Sequence, residues 1–321
     1  MRHHRRLAPI LTAVVALSVA VAGAATGHAA TTRDRGVAAA RQPAATVDWQ
    51  AVGAALGRAG QLMPGDVYRV GLPRTDLTVA VRGVPLQPTF ALGSYAAFKQ
   101  LDTGPEAMVM GDLVLLDAEV PAVMDGLVAG GFDITALHNH LNEMTPHVMY
   151  LHYLGHGDPV VLASDLHAAL AASGTPFAAA PAGAKGGPAL DAAPLNAILG
   201  RNGLVNDAGV YQLSVPRAET VTEMGVPLLP AMGVATVVNM EPLGDGTAAV
   251  TGDFVLTAGE VNPVARTLRA GGIDVTALHN HALGDEPRLF YMHFWATGDA
   301  ADLARGLRAA LDLTNSARPA P

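Results

Sequence analysis

The sequence predicts an α+β protein made of two tandem homologous units, each with a mostly antiparallel sheet carrying helices on one face, the two packed as a pseudo-dimer. Three observations lead there. The stretch Thr-Ala-Leu-His-Asn-His occurs twice, ending at His140 and at His281, and His138, His140 and His152 each recur 141 positions on as His279, His281 and His293. The twelve positions that end in this motif differ only by apolar exchanges, Phe132 for Ile273 and Ile134 for Val275. In both halves alternating apolar runs bounded by Gly and Pro precede the motif, and helical patterns follow it. Repeated α+β units of this kind often pack about a pseudo-two-fold axis.

The chain has 321 residues, enough for two domains with their own cores. It opens with Arg2, Arg5 and Arg6, an apolar run over 7–23, and small residues to Ala30. That order reads as a cleavable signal peptide over 1–30, and the apolar run is shorter than the roughly 20 residues that span a bilayer. Its removal takes away three arginines and no carboxylate, so the net charge moves from −8 to −11. A mature chain this acidic is repelled by phosphate, which argues against nucleic acid as a partner. The expected setting is secreted or extracytoplasmic, not membrane-spanning once processed. There is no cysteine, which excludes disulfides, a thiol nucleophile, a thiolate metal site and a lipid anchor.

Residues 31–47 are a flexible lead without periodicity, and unit 1 occupies 48–172. A short helix is expected over 49–62, strands over 66–74, 77–84, 89–100 and 107–116, then a helix over 119–129 with Asp117 as N-cap and Gly130-Gly131 as its stop. The histidine strand covers 133–140, the return strand 148–154, and an amphipathic helix 160–172. An Ala-, Gly- and Pro-rich linker takes 173–190, unit 2 takes 191–314, and 315–321 are a tail.

Residues two apart on a strand share a face, so His138 and His140 point together, with Asn139 on the other side. A hairpin pivoting at Thr145 sets His152 opposite His138 and Tyr150 opposite His140; unit 2 likewise gathers His279, His281, Tyr291 and His293. Three neutral imidazoles with an open position suit a divalent metal such as zinc. The carboxylates that recur at the same spacing, Asp112 with Asp253 and Glu119 with Glu260, are candidate fourth ligands or general bases. Each has a structural reading beside it: a bend next to Gly111 or Gly252 for the aspartates, and a helix-dipole partner for the glutamates. Asn139 and Asn280 either orient a histidine from behind or lock the strand to a loop, and Tyr150 and Tyr291 are packing as readily as chemistry. His147, His156 and His167 have no counterparts in unit 2 and read as solvated surface.

Gly-Asp-x-Val-Leu, Gly-Gly-[Phe/Ile]-Asp-[Ile/Val]-Thr-Ala-Leu-His-Asn-His and a histidine in the next strand resemble the LppY/LpqO-like family of exported bacterial proteins, over residues 49–313. The resemblance implies a duplicated architecture and an envelope location; the family is a domain of unknown function and implies no substrate. It adds Glu286 and Arg288 as candidate catalytic residues, since unit 2 carries Glu286-Pro287-Arg288 where unit 1 has Thr145-Pro146-His147. Three functions stay open: a metal-binding exported protein with hydrolytic chemistry, a metal-free two-histidine phosphoesterase-like enzyme, and a non-catalytic envelope module for a small-molecule or envelope ligand. No P-loop or dinucleotide fingerprint is present, so no nucleotide cofactor is expected.

Overall fold

A computed structural model describes residues 46–102, 104–178 and 190–318. The segment 1–30 read as a signal peptide, almost all of the lead, most of the linker and the end of the tail lie outside these residues. Unit 1 runs α1 (Trp49–Leu56), β1 (Gln61–Met63), β2 (Val67–Pro73), β3 (Ala80–Val81), β4 (Val84–Pro85), α2 (Pro88–Ala91), β5 (Gly93–Gln100), β6 (Ala107–Leu116), α3 (Val120–Ala129), β7 (Asp133–His138), β8 (Met144–Thr145), β9 (Val148–Gly157) and α4 (Pro159–Leu170). Unit 2 repeats the plan with α5 (Ala192–Leu199), β10 (Leu204–Val205), β11 (Tyr211–Pro216), β12 (Val221–Glu223), β13 (Val226–Leu228), β14 (Ala235–Gly244), β15 (Thr247–Thr257), α6 (Ala258–Ala270), β16 (Asp274–His279), β17 (Leu289–Asp299) and α7 (Ala300–Leu311). Two six-stranded antiparallel sheets result, ordered β1-β2-β5-β6-β9-β7 and β10-β11-β14-β15-β17-β16.

Strand alternation sorts each sheet into two faces. In unit 1 Val109, Leu113, Leu115, Leu151 and Tyr153 pack under α1, α3 and α4 in one core cluster. The opposite face carries Met108, Met110, Val114, Val148, Tyr150 and Leu154, which share two further clusters with unit 2 residues such as Val255, Leu289, Tyr291 and Trp295. Helices therefore cover one face of each sheet, and the other faces bury one another's apolar side chains. Among the described residues no helix is long and apolar enough to cross a membrane.

Several boundaries differ from the sequence reading. The strand expected over 77–84 is only the hairpin β3–β4, because Arg82 and Gly83 both have positive φ, 49° and 84°, as a tight hairpin turn requires. The first part of 89–100 is the helical turn α2, opened by Pro88 at a position where its missing N–H costs nothing. Asp117 does not cap α3; Glu119 holds the N-cap position, and Asp117 instead meets His147 at 2.9 Å. The matching helix α6 has a complete capping box from Thr257 and Glu260, and unit 1 keeps only the glutamate half because Leu116 stands where Thr257 would.

Arg74 is fully buried, and its guanidinium donates to the Val114 carbonyl, to both oxygens of Glu119 and to Asp76. Arg217 does the same with Val255, Glu260 and Glu219. Each clamp ties the end of β2 or β11 to β6 or β15 and to the start of the next helix. Arg217→Met leaves the half-buried Glu260 carboxylate with only its backbone amide donors, so a loss of about 1–3 kcal/mol in unfolding free energy is expected by urea denaturation. A change below about 1 kcal/mol would show the clamp to be dispensable.

The Arg217 hydrogen bond holds Glu219 down to about 2 from the ordinary 4.5. A depressed carboxylate stabilises the fold above 4.5 and loses that contribution as pH falls toward 2. The urea midpoint should fall across that window, and Glu219→Gln should flatten the fall; identical profiles would refute the assignment.

Gly111 and Gly252 sit where the neighbouring strand comes too close for a side chain: a Cβ would lie inside van der Waals contact of the Tyr95 and Val237 carbonyl oxygens respectively. Gly111→Ala or Gly252→Ala should therefore push these strands apart and cost about 1–3 kcal/mol or more, read from the melting transition. Wild-type stability in either variant would contradict this packing.

Candidate metal centre

The strands that carry the histidines are adjacent in each sheet, β7 beside β9 and β16 beside β17. Asp112 on β6 stands directly opposite His152 on β9, and Asp253 on β15 opposite His293 on β17. Across β7 and β9, His138 faces Tyr150 and Ala136 faces His152, with a bulge between Ile134 and Ala136. The expected pairing of His138 with His152 is thus shifted by two residues. Its cause is the segment 139–147, which is not a tight turn: Met144 and Thr145 leave to pair with β3. A slip of one would have turned the histidines over, but a slip of two keeps them on one face. Unit 2 shows the same shift, with His279 facing Tyr291.

That face is the one turned toward the other unit. Instead of two separate trios, all six histidines lie in a single cluster. His138 and His279 stack with ring centroids 3.6 Å apart, His140 and His293 at 3.7 Å, and His152 and His281 at 4.0 Å. Each of these closest pairs joins the two units. The contacts around them are reciprocal: the Thr135 hydroxyl donates to the His281 carbonyl at 2.7 Å, and the Thr276 hydroxyl to the His140 carbonyl at 2.5 Å. Tyr150 stacks on His140 at 3.2 Å and Tyr291 on His281 at 3.4 Å, while the Tyr150 hydroxyl turns away to the Ala91 carbonyl.

Both aspartates complete the cluster. Asp112 Oδ2 is 3.4 Å from His140 Nε2, Asp112 Oδ1 is 3.9 Å from His152 Nε2, and Asp253 Oδ2 is 3.3 Å from His281 Nε2. Backbone carbonyls fix three imidazoles from behind: Gly111 accepts from His152 Nδ1, Gly252 from His293 Nδ1 and Gly233 from His281 Nδ1. Their Nε2 atoms are left bare and aimed inward, the arrangement in which a ligating imidazole is held by its other nitrogen.

Ten buried side-chain atoms of these eight residues have no hydrogen-bond partner: both ring nitrogens of His138 and His279, Nε2 of His140, His152, His281 and His293, and Oδ1 of Asp112 and Asp253. Burial, reinforced by the neighbouring imidazoles, lowers the His138 pKa to about 2 and carries His140, His152 and His279 well down. Burial likewise lowers His293 against the pull of Asp253. Burial thus favours the neutral form of these rings, with free lone pairs, the state in which histidine binds metal. Asp112 is driven well up by burial and by Asp253, against Arg69.

The remaining candidates stand elsewhere. Glu119 and Glu260 are held by the arginine clamps and also accept backbone amides, Gly174 and Leu116 for the first, Asn315 and Thr257 for the second. Glu286 and Arg288 are exposed, and the Arg288 guanidinium bonds Asp285 and the carbonyls of Ala282 and Leu283. Among the described residues neither hydrogen-bonds to a side chain of the histidine cluster. The hydrogen bonds of Asn139 and Asn280 go to no imidazole: Asn139 bonds Leu141 and Asn142, and Asn280 bonds Ala282 and, across the units, the Thr135 carbonyl. His147 is exposed as expected, but His156 and His167 are half-buried rather than solvated, His167 bonding the Leu56 carbonyl and lying against Phe177. Sequence reasoning passed over Arg74 and Arg217, although both end the repeated strand that begins each clamp.

Comparison with known proteins places the chain in a family without assigning it an activity. No curated relative reaches significant similarity. A crystal structure of a trimeric bacterial microcompartment shell protein, PduB, is similar at 14% identity over 78% of this chain and 87% of that one, with a TM-score of 0.19. A likeness that low carries no argument. The profile described as Domain of Unknown Function (DUF1259) matches residues 50–172 and again 193–313, so the chain belongs to that family and holds two copies of its domain.

Proposed function

We propose that the chain is an exported metal-binding protein whose two units, related by a pseudo-two-fold axis through the histidine cluster, hold divalent metal of the zinc type between them. The observation that carries this reading is the set of ten unpartnered ring nitrogens and carboxylate oxygens packed into one buried place. A buried polar atom without a partner costs about 1–3 kcal/mol, and a folded domain does not gather ten of them in one spot without a ligand to satisfy them. Neutral imidazoles and carboxylates are ligands that zinc and neighbouring divalent ions accept.

A divalent ion held by these imidazoles and carboxylates would supply Lewis-acid activation of water, which makes hydrolysis the reaction class to test. The lowered histidine pKa values favour this over metal-free acid–base catalysis, because a general acid must carry its proton near neutral pH. Membership of the LppY/LpqO-like exported group and secretion through the N-terminal segment belong to the same reading. They are supported by the repeated motif and by the basic–apolar–small order of residues 1–30.

Elemental analysis of the mature protein, purified without chelator, should find bound divalent metal that His138→Ala plus His279→Ala removes. A metal-free wild type would overturn the reading. Loaded protein should cleave some member of a panel of phosphoesters and carboxylic esters, with the rate lost in chelator; no turnover across the panel would leave metal binding without hydrolysis.

A further inference from the structure

We infer that the cluster holds two metal ions per chain and that the units exchange ligands to make them. One position takes His138, His140 and Asp112 from unit 1 with His293 from unit 2. The other takes His279, His281 and Asp253 from unit 2 with His152 from unit 1. This rests on the metal-binding reading above and goes beyond it in stoichiometry and in which residues share an ion.

Three observations support the exchange. The ligand atoms of His138, His140 and His293, drawn from both units, lie within 4.8 Å of one another, as do those of Asp253, His279 and His281. Two overlapping sets, Asp112 with His140 and His152, and His138 with His152 and His279, meet at the same distance, so these lengths gather all eight residues and their division rests on the two observations that follow. Secondly, the strand histidines lean across the interface: the His293 ring is 3.7 Å from His140 but 4.8 Å from His279 of its own unit, and the His152 ring is 4.0 Å from His281 but 5.1 Å from His138. The two cross-unit distances are the same contact seen from either unit.

Thirdly, the aspartate distances fit an ion better than a hydrogen bond. His140 Nε2 to Asp112 Oδ2 is 3.4 Å and His281 Nε2 to Asp253 Oδ2 is 3.3 Å, long for a charge-assisted hydrogen bond of about 2.7–2.9 Å. Two ligands on a tetrahedral ion with bonds of about 2.0–2.1 Å are separated by roughly 3.3–3.4 Å. Asp112 to His152, at 3.9 Å, is outside that edge length, which assigns Asp112 to His140. The number of groups also decides between one ion and two. An ion of this type takes about four protein ligands and expands to five when a water joins, so a single ion leaves about half of these eight residues buried and unsatisfied, whereas two ions use one atom from every residue and keep a fifth position for the water of the hydrolytic reading.

Under this arrangement neither unit alone closes a site. The two outcomes of a ligand swap can be told apart by metal stoichiometry. The wild type should bind two ions per chain. Removing one exchanged set, with His138→Ala, His140→Ala and His293→Ala together, should leave one ion. Removing the three histidines of unit 1, with His138→Ala, His140→Ala and His152→Ala, damages both positions and should leave no tightly held ion. The reverse pattern, one ion kept by the second variant and none by the first, would show that each unit binds its own ion and overturn the exchange. One ion per wild-type chain would overturn it as well. A wild type without metal would instead sink the metal-binding reading itself.

Should the triple variants fold poorly, two double variants give a second route. His138→Asn plus His293→Asn should weaken one of the two ions by at least about tenfold in a chelator competition and spare the other, halving the tetrahedral cobalt(II) bands, whereas His138→Asn plus His152→Asn should weaken both. The reverse pattern, or no weakening in either, would contradict the assignment.

Discussion

The burial of six imidazoles and two carboxylates between two sheets is the constraint on which the rest of this molecule depends. Each sheet gives its helix-free face to the other, and across most of that interface the exchange is apolar, Met108 and Leu154 against Val255 and Leu289. In the middle it is polar. Asp112 and His152 are cross-strand neighbours, as are Asp253 and His293, and His138 and His279 end their strands, so six of the eight residues are built into the sheets, while His140 and His281 stand two residues beyond the ends of β7 and β16. Groups on strands are held more rigidly than groups on loops, which suits a site that must converge from two directions.

The arginine clamps show how the sheets are kept in position around that patch. Arg74 reaches the Val114 carbonyl on β6, two residues from Asp112, and Arg217 reaches Val255 on β15, two residues from Asp253. Both also take hold of the glutamate at the start of the following helix. The polar residues that recur in the two units thus divide into a hydrogen-bonded structural set and a cluster with unpartnered atoms. Glu119 and Glu260 belong to the first, held by arginine and backbone amides, and Asp112 and Asp253 to the second, each with a buried Oδ1 that has no partner.

The two units are equal at the cluster and unequal around it. Unit 1 carries the Arg82–Glu143 ion pair, and Arg82 also crosses to Asp274 of unit 2. Where unit 1 has Arg82 and Glu143, unit 2 has Glu223 and Gly284, and there the buried Glu223 accepts the Gly284 amide. The loops before the last strands differ too, Thr145-Pro146-His147 against Glu286-Pro287-Arg288. Such drift, at exposed Arg82 and Glu143 and at buried Glu223 alike, stands beside six histidines that recur unchanged.

The sequence by itself determined the duplication and the antiparallel sheets with their helices, and it nominated the six recurring histidines, with Asp112 and Asp253 among several candidate carboxylates. The sheets follow from local periodicity and the histidines from their repeat at one spacing, although the strand expected over 133–140 ends at His138, leaving His140 and His281 beyond their strands. Boundaries failed where local chemistry overrode the apolar pattern, at the Arg82-Gly83 turn and at Pro88. The register failed because Met144 and Thr145 pair with β3, a contact some sixty positions distant that no local pattern reveals. Only the tertiary structure decided that the trios merge and that the nearest partner of each histidine lies in the other unit. Alternation along a strand tells which side chains share a face, but what that face meets depends on how two sheets pack, a relation between segments far apart in the chain.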